Sequence, residues 1–247
     1  METLNCLTEE CITLLHKNKL LDPLIKSSLI NSTLSQVNLS PEKKATLINY
    51  FLEKNQVDSE KIDEWLKENN LEKDDMENLA LGDERLEIYC KEQFNNKLDS
   101  YFLERKDQLD IVVYSLLRVK DFFQANEYYL RIIESEADFG ELASKYSEGL
   151  EKKSRGIVGP VPLGQTHPRL AELLINSPQG ETQPPIEIGG SYIVVRVESY
   201  DPAKLDDYMR KNLRKELFYR WIDTQTSQFI SKLLKEGVSF LNKEDKV

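Results

Sequence analysis

The chain has 247 residues, a formal net charge of −10 at pH 7, 40% hydrophobic and 31% charged residues, a globular composition with room for one large domain or two ordinary ones. An acidic excess argues against general binding to nucleic acid or to anionic membranes, since both require concentrated positive charge. No stretch approaches the ~20 consecutive apolar residues that span a bilayer, so neither nucleic acid nor membrane insertion is expected.

Met1-Glu2-Thr3-Leu4 lacks the basic and apolar runs of a secretory leader. Cys6, Cys11 and Cys90 form no CxxC pair, and Cys6 and Cys11 read as small core residues of an amphipathic helix. The two histidines, His16 and His167, are far apart in sequence. Together these features predict no metal site and a reducing, cytoplasmic setting.

Residues 1–109 read as consecutive helices. Ser40-Pro41-Glu42 supplies an N-cap, a proline at the first helical position and an acidic first turn. Leu47, Ile48, Phe51 and Leu52 then recur at helical spacing. Asp58 and Ser59 offer a second start, before Ile62, Trp65 and Leu66. A third helix is expected through Leu86, Ile88, Tyr89, Phe94, Leu98, Tyr101 and Phe102.

The texture changes at Asp110. Ile111 to Val119 is β-branched and apolar, as in a buried strand. One helix is predicted from about Asp121 to Glu134, and another opening at Asp138 with Glu141 three residues on. Gly156 to Pro162 reads as a short strand, and Pro168 opens a helix. Thr182–Ile188, Gly189-Gly190 and Ser191–Val197 read as strand, turn and strand, with Pro184 and Pro185 placing the first strand at an edge. From Asp201, as cap, a C-terminal helix (201–247) carries Leu205, Met209, Leu213, Leu217 and Trp221 four apart. That apolar stripe requires a partner, and the N-terminal helices are the natural one. The fold class is therefore α+β: a domain at 110–200, with a small antiparallel sheet and helices, inserted in a helical region built from both chain ends.

Within 110–200 stand Asp138-Phe139-Gly140-Glu141-Leu142-Ala143, Lys145-Tyr146-Ser147-Glu148, Arg155-Gly156-Ile157-Val158-Gly159 and Gly164-Gln165-Thr166-His167-Pro168. Pro178-Gln179-Gly180-Glu181 then leads to Gly190-Ser191-Tyr192-Ile193-Val194-Val195-Arg196-Val197. Together these stretches resemble the parvulin family of peptidyl-prolyl cis/trans isomerases (rotamases). The flanking helices are similar in layout to SurA-type and PrsA-type chaperones, an analogy of architecture.

The resemblance implies a folding helper acting on proline-containing polypeptides without a cofactor. It places the family's first-strand histidine on Ser115 and its final-strand histidine on Tyr192. The acidic-or-cysteine pair after Tyr-Ser falls on Glu148 and Gly149. The proline cup falls on Val158, Thr166 and Leu170, and the family's Gly-Asp-Leu-Gly aspartate on Ile157.

Ser115, Glu148 and Tyr192 are thus the implied catalytic positions, and Val158, Thr166, His167 and Leu170 the implied substrate-binding ones. Several readings stay open. Ser115 and Tyr192 either hydrogen-bond across adjacent strands, as the family's histidines do, or mark a lost polar network. Glu148 is either a replacement acid or an exposed loop carboxylate. His167 is either a helix-entry residue or a substrate contact. Lys152, Lys153 and Arg155 are either a solvated charge run or a phosphate-reading patch. For the whole chain, the alternative to an isomerase is a catalytically inactive peptide clamp, serving as chaperone or export adaptor.

Overall fold

The computed structural model describes Leu4 and residues 6–239. The leader reading at Met1–Thr3 lies outside these residues. The chain divides into two compact units: residues up to Leu98 together with those from Asp206 onward, and residues Asp99–Leu205.

The first unit is helical: α1 (Glu9–Lys17), α2 (Leu21–Ser35), α3 (Pro41–Lys54), α4 (Ile62–Glu68), α5 (Lys73–Phe94) and α10 (Asp207–Glu236). Ser40 caps α3 by accepting the Lys43 N–H (3.3 Å), with Pro41 at the first helical position. The 30-residue α10 packs on α2 and α5. Phe229, Ile230 and Leu233 bury against Ile12, Leu21 and Ile25. About two to three turns nearer its start, Phe218 and Ile222 bury against Leu34, Leu86, Cys90 and Phe94.

Four expectations change here. The helix predicted through Phe102 is two, α5 and α6 (Leu98–Leu109), separated by a 3-10 turn at Asn95–Lys97; asparagines favour such breaks because their amides compete for backbone hydrogen bonds. Asp201 does not cap α10. It pairs with Ile111 as the last residue of a strand, and the cap is Asp206, which accepts the Met209 N–H at 2.8 Å. Strict fours also drift about 40° per step around a 3.6-residue turn, so the buried line leaves Leu217 and Trp221 half-buried and passes to Phe218 and Ile222. Cys6 and Cys11 are exposed; the buried cysteine is Cys90, and its thiol is pushed up to about 11 chiefly by burial.

The second unit carries β1 (Ile111–Val119), α7 (Phe122–Ile133), α8 (Phe139–Tyr146), β2 (Ile157–Pro162), α9 (Pro168–Asn176), β3 (Thr182–Ile188) and β4 (Ser191–Asp201). The strands form one antiparallel sheet in the order β2-β1-β4-β3. Fold class and strand positions agree with the sequence reading, except that β4 runs on past Val197 to Asp201. β3 is at the edge, and its register slips between Gln183 and Ile186, where the two prolines cannot donate to the ladder. Gly189 (φ +60°) and Gly190 (φ +76°) make the turn into β4, both in the left-handed region that such tight hairpins favour.

Because strand side chains alternate, the sheet has two distinct faces. Tyr114, Leu116, Ile193 and Val195 pack with Leu170 and Leu174 of α9. Leu117, Val119 and Val194 pack on the other side with Tyr128 of α7 and Phe139 and Leu142 of α8. Asp138 starts α8 by accepting the Glu141 N–H (3.0 Å) and also receives Arg155 Nη2 (2.9 Å). Asp138→Ala is expected to cost about 1 kcal/mol, mostly from the lost cap, read as a shift in the urea midpoint at constant slope; the exposed ion pair adds little. Among the described residues no helix is long and apolar enough to cross a membrane.

Candidate active site

A hollow of about 370 Å³ opens on the α9 face of the sheet. Its floor is Leu116 of β1, Ile193 of β4 and Leu170 of α9, each at most 7% exposed. Thr166 and His167 line one side and the β3–β4 turn another. Arg169 Nη1 donates to the Glu187 carbonyl (3.1 Å), tying the start of α9 to β3.

His167 is a helix-entry residue that also borders the hollow. It is the N-cap of α9, its Nδ1 accepting the Arg169 N–H (3.3 Å). The Thr166 hydroxyl donates to the Leu163 carbonyl (2.8 Å), so its methyl is the part left to pack. Val158 stands opposite Tyr114 and packs into the apolar cluster, while Tyr114 itself lines the hollow. Burial pushes the Tyr114 phenol above its ordinary value, Arg118 opposing and Glu151 adding to the rise, which keeps it a protonated donor at neutral pH.

The three implied catalytic positions are not in the hollow. Ser115 pairs with Arg196 and Tyr192 with Val119, four ladder positions apart. Both belong to the face turned toward α7 and α8. The Ser115 hydroxyl is buried and donates to Glu198; the Tyr192 ring stands edge-on to Phe122, centroids 5.4 Å apart. The strand-to-strand Ser–Tyr hydrogen bond is therefore absent. Strand period explains it: one residue along, Leu116 and Ile193 point into the hollow. Glu148 is exposed, and its backbone N–H donates to the Arg118 carbonyl (2.9 Å). Lys152 Nζ reaches the Lys145 carbonyl (3.0 Å) and Arg155 reaches Asp138, so those charges engage α8 and its cap separately.

Sequence reading missed the polar wall. Arg118 lines the hollow and lies 3.8 Å, Nε to Oε1, from Glu151. Glu151 is buried and accepts the Ser147 hydroxyl (2.7 Å). Alternation along β1 pointed to Tyr114, Leu116 and Arg118 as one face; nothing local in the sequence singled out Glu151.

Residues 120–199 match the family model described as Rotamase, PPIC-type PPIASE domain. The chain carries a parvulin-type domain. No curated protein matches the chain. Among solved structures, the peptidylprolyl isomerase PrsA from Bacillus anthracis is 17% identical, with 89% of this chain and 97% of that one covered at a TM-score of 0.45. PrsA from Bacillus cereus is 18% identical, covering 94% and 88% at 0.47. A SurA-like chaperone of Campylobacter jejuni is 18% identical, covering 86% and 92% at 0.37. The parvulin-type domain places its hollow on the sheet face that carries Leu116, Ile193 and Leu170.

Proposed function

We propose that the chain is a peptidyl-prolyl cis/trans isomerase that assists the folding of proline-containing polypeptides. The observation that carries this reading is a hollow with an apolar floor and one polar wall within a matched parvulin-type domain. Rotation about an X–Pro bond is opposed by amide resonance, with a barrier of roughly 18–20 kcal/mol. The chemistry needs no bond to be broken. Leu116, Leu170 and Ile193 receive the pyrrolidine ring and exclude water from the amide, which disfavours its charge-separated planar form. Tyr114 and Arg118 supply donors to the peptide's carbonyl groups, holding one side of the bond while the other turns.

The floor of the hollow is apolar at Leu116 and Ile193, while Ser115 and Tyr192, onto which the resemblance sets the family's histidines, lie on the other face of the sheet. This favours a second reading, a clamp that binds proline segments without turning them. Isomerisation of a panel of X–Pro peptides separates the two. Acceleration by the intact chain, falling about fivefold or more in Leu170→Ala as apolar contact with the ring is lost, is the expected result. Peptide binding with no acceleration would leave the clamp.

A further inference from the structure

Gly149 falls where the family carries a cysteine or an acid, yet its place is not empty. The Cδ of Glu151 lies 2.5 Å from where a Cβ on residue 149 would stand, and both carboxylate oxygens are nearer still. Gly149 has φ −100° and ψ −178°, extended backbone open to any residue. Glycine therefore leaves space that a side chain would contest, and that space is filled by a carboxylate arriving from two residues on.

Glu151 is 7% exposed, and a buried charge must be met by partners. Those partners converge on Arg118. Ser147 Oγ donates to Glu151 (2.7 Å) and accepts the Arg118 N–H (3.0 Å). Glu151 Oε1 also faces Arg118 Nε at 3.8 Å. Arg118 is thus held through its backbone and its side chain at once. Among the described residues its two terminal nitrogens make no hydrogen bond to protein, and the residue lines the hollow.

We propose that Glu151 is a positioning residue of this site: from the space that Gly149 leaves, its carboxylate fixes Arg118 so that the guanidinium grips a carbonyl of the bound peptide. This rests on the reading of the hollow as a proline-peptide site. A grip on the peptide flanking the proline acts alike on ground state and transition state, so its loss belongs in KM. A merely structural defect would instead lower the active fraction and hence kcat.

The test uses the full chain and the same X–Pro peptides, with near-UV circular dichroism to confirm folding. Glu151→Gln is expected to raise KM about tenfold with kcat within about twofold, as for a lost uniform binding contact. Gly149→Ala keeps every charge but displaces the carboxylate, and should reproduce that rise. The pair Gly149→Asp with Glu151→Ala returns a carboxylate to the same space and should restore KM to within about threefold of wild type, whereas Glu151→Ala alone should not; such non-additivity marks a shared site. Wild-type KM in both Glu151→Gln and Gly149→Ala overturns the proposal, as does a double variant no better than Glu151→Ala. If the wild type binds peptide without turning it, the same series is read in Kd and decides in the same way. A wild type that neither binds nor turns these peptides removes the proposed function and this assignment with it.

Discussion

Asp110→Ala is expected to lower the stability of the unit spanning Asp99–Leu205 by about 2–4 kcal/mol, because it strands two partly buried donors at once. Asp110 is 2% exposed and sits where the chain enters the sheet. Its carboxylate accepts the Tyr200 hydroxyl, the Ala203 N–H (2.8 Å) and Lys106 Nζ (3.3 Å). Its own carbonyl accepts the Leu163 N–H (2.9 Å). One residue thus joins α6, the end of β4, the segment leaving it and the turn before α9. Lys106 is partly solvated and loses little, whereas the Tyr200 hydroxyl and the Ala203 amide would be left without their acceptor. Asp110→Asn keeps one acceptor oxygen and should fall in between. Urea denaturation of the full chain reads the loss, and amide exchange at Ala203 locates it; a change under about 0.5 kcal/mol, the range of ordinary surface substitutions, would sink the idea.

The same contact has a pH signature. Burial, then the hydrogen bond to Asp110, raises the Tyr200 phenol above its ordinary value of 10.0. A group whose folded value is raised contributes stability that is fully present below the unfolded value and is lost as pH rises beyond it. The contribution therefore holds at neutral pH and declines above about pH 10. Tyr200→Phe should lower stability at pH 7 and flatten part of that alkaline decline; the remainder belongs to Tyr114 and Tyr128 in the same unit and to Tyr89 and Cys90 in the helical one, all raised by burial.

Much of the inserted domain was legible because its signals are local. The Ile111–Val119 apolar run, Asp138 as cap, Pro168 at a helix start and the Gly189-Gly190 turn each depend on a few adjacent residues, and each stands where those residues put it. The end of β4 was not legible. Asp201 followed by Pro202 reads as a helix start, but pairing with Ile111, ninety positions away, carries the strand through it. The face on which the implied site residues lie was not legible either. Likeness of motifs set polar Ser115 and Tyr192 on the family's histidines, and the alternation of strand side chains puts both on the face away from the hollow. Glu151 was illegible for a different reason: its significance lies in space left by Gly149, which only the folded chain reveals.

The two faces make a sharp contrast measurable. Leu116→Ala removes apolar floor from the hollow and is expected to lower kcat/KM by about tenfold to a hundredfold, the range that follows from roughly 1.5–3 kcal/mol for burying such a side chain. Ser115→Ala and Tyr192→Phe alter groups on the α7 and α8 face and should leave kcat/KM within about twofold, since neither touches the bound proline. Leu116 is also a core residue, 3% exposed, so its truncation carries a stability cost of about 2–5 kcal/mol. Rates are therefore compared at a temperature where the folded fraction of each variant is complete by circular dichroism. Ser115→Ala supplies the internal control, because it too removes a buried group, the donor to Glu198, yet on the wrong face for catalysis. The reverse ranking, with Ser115 and Tyr192 sensitive and Leu116 tolerant, would mean that peptide binds against the helices and that the hollow is incidental to the reaction.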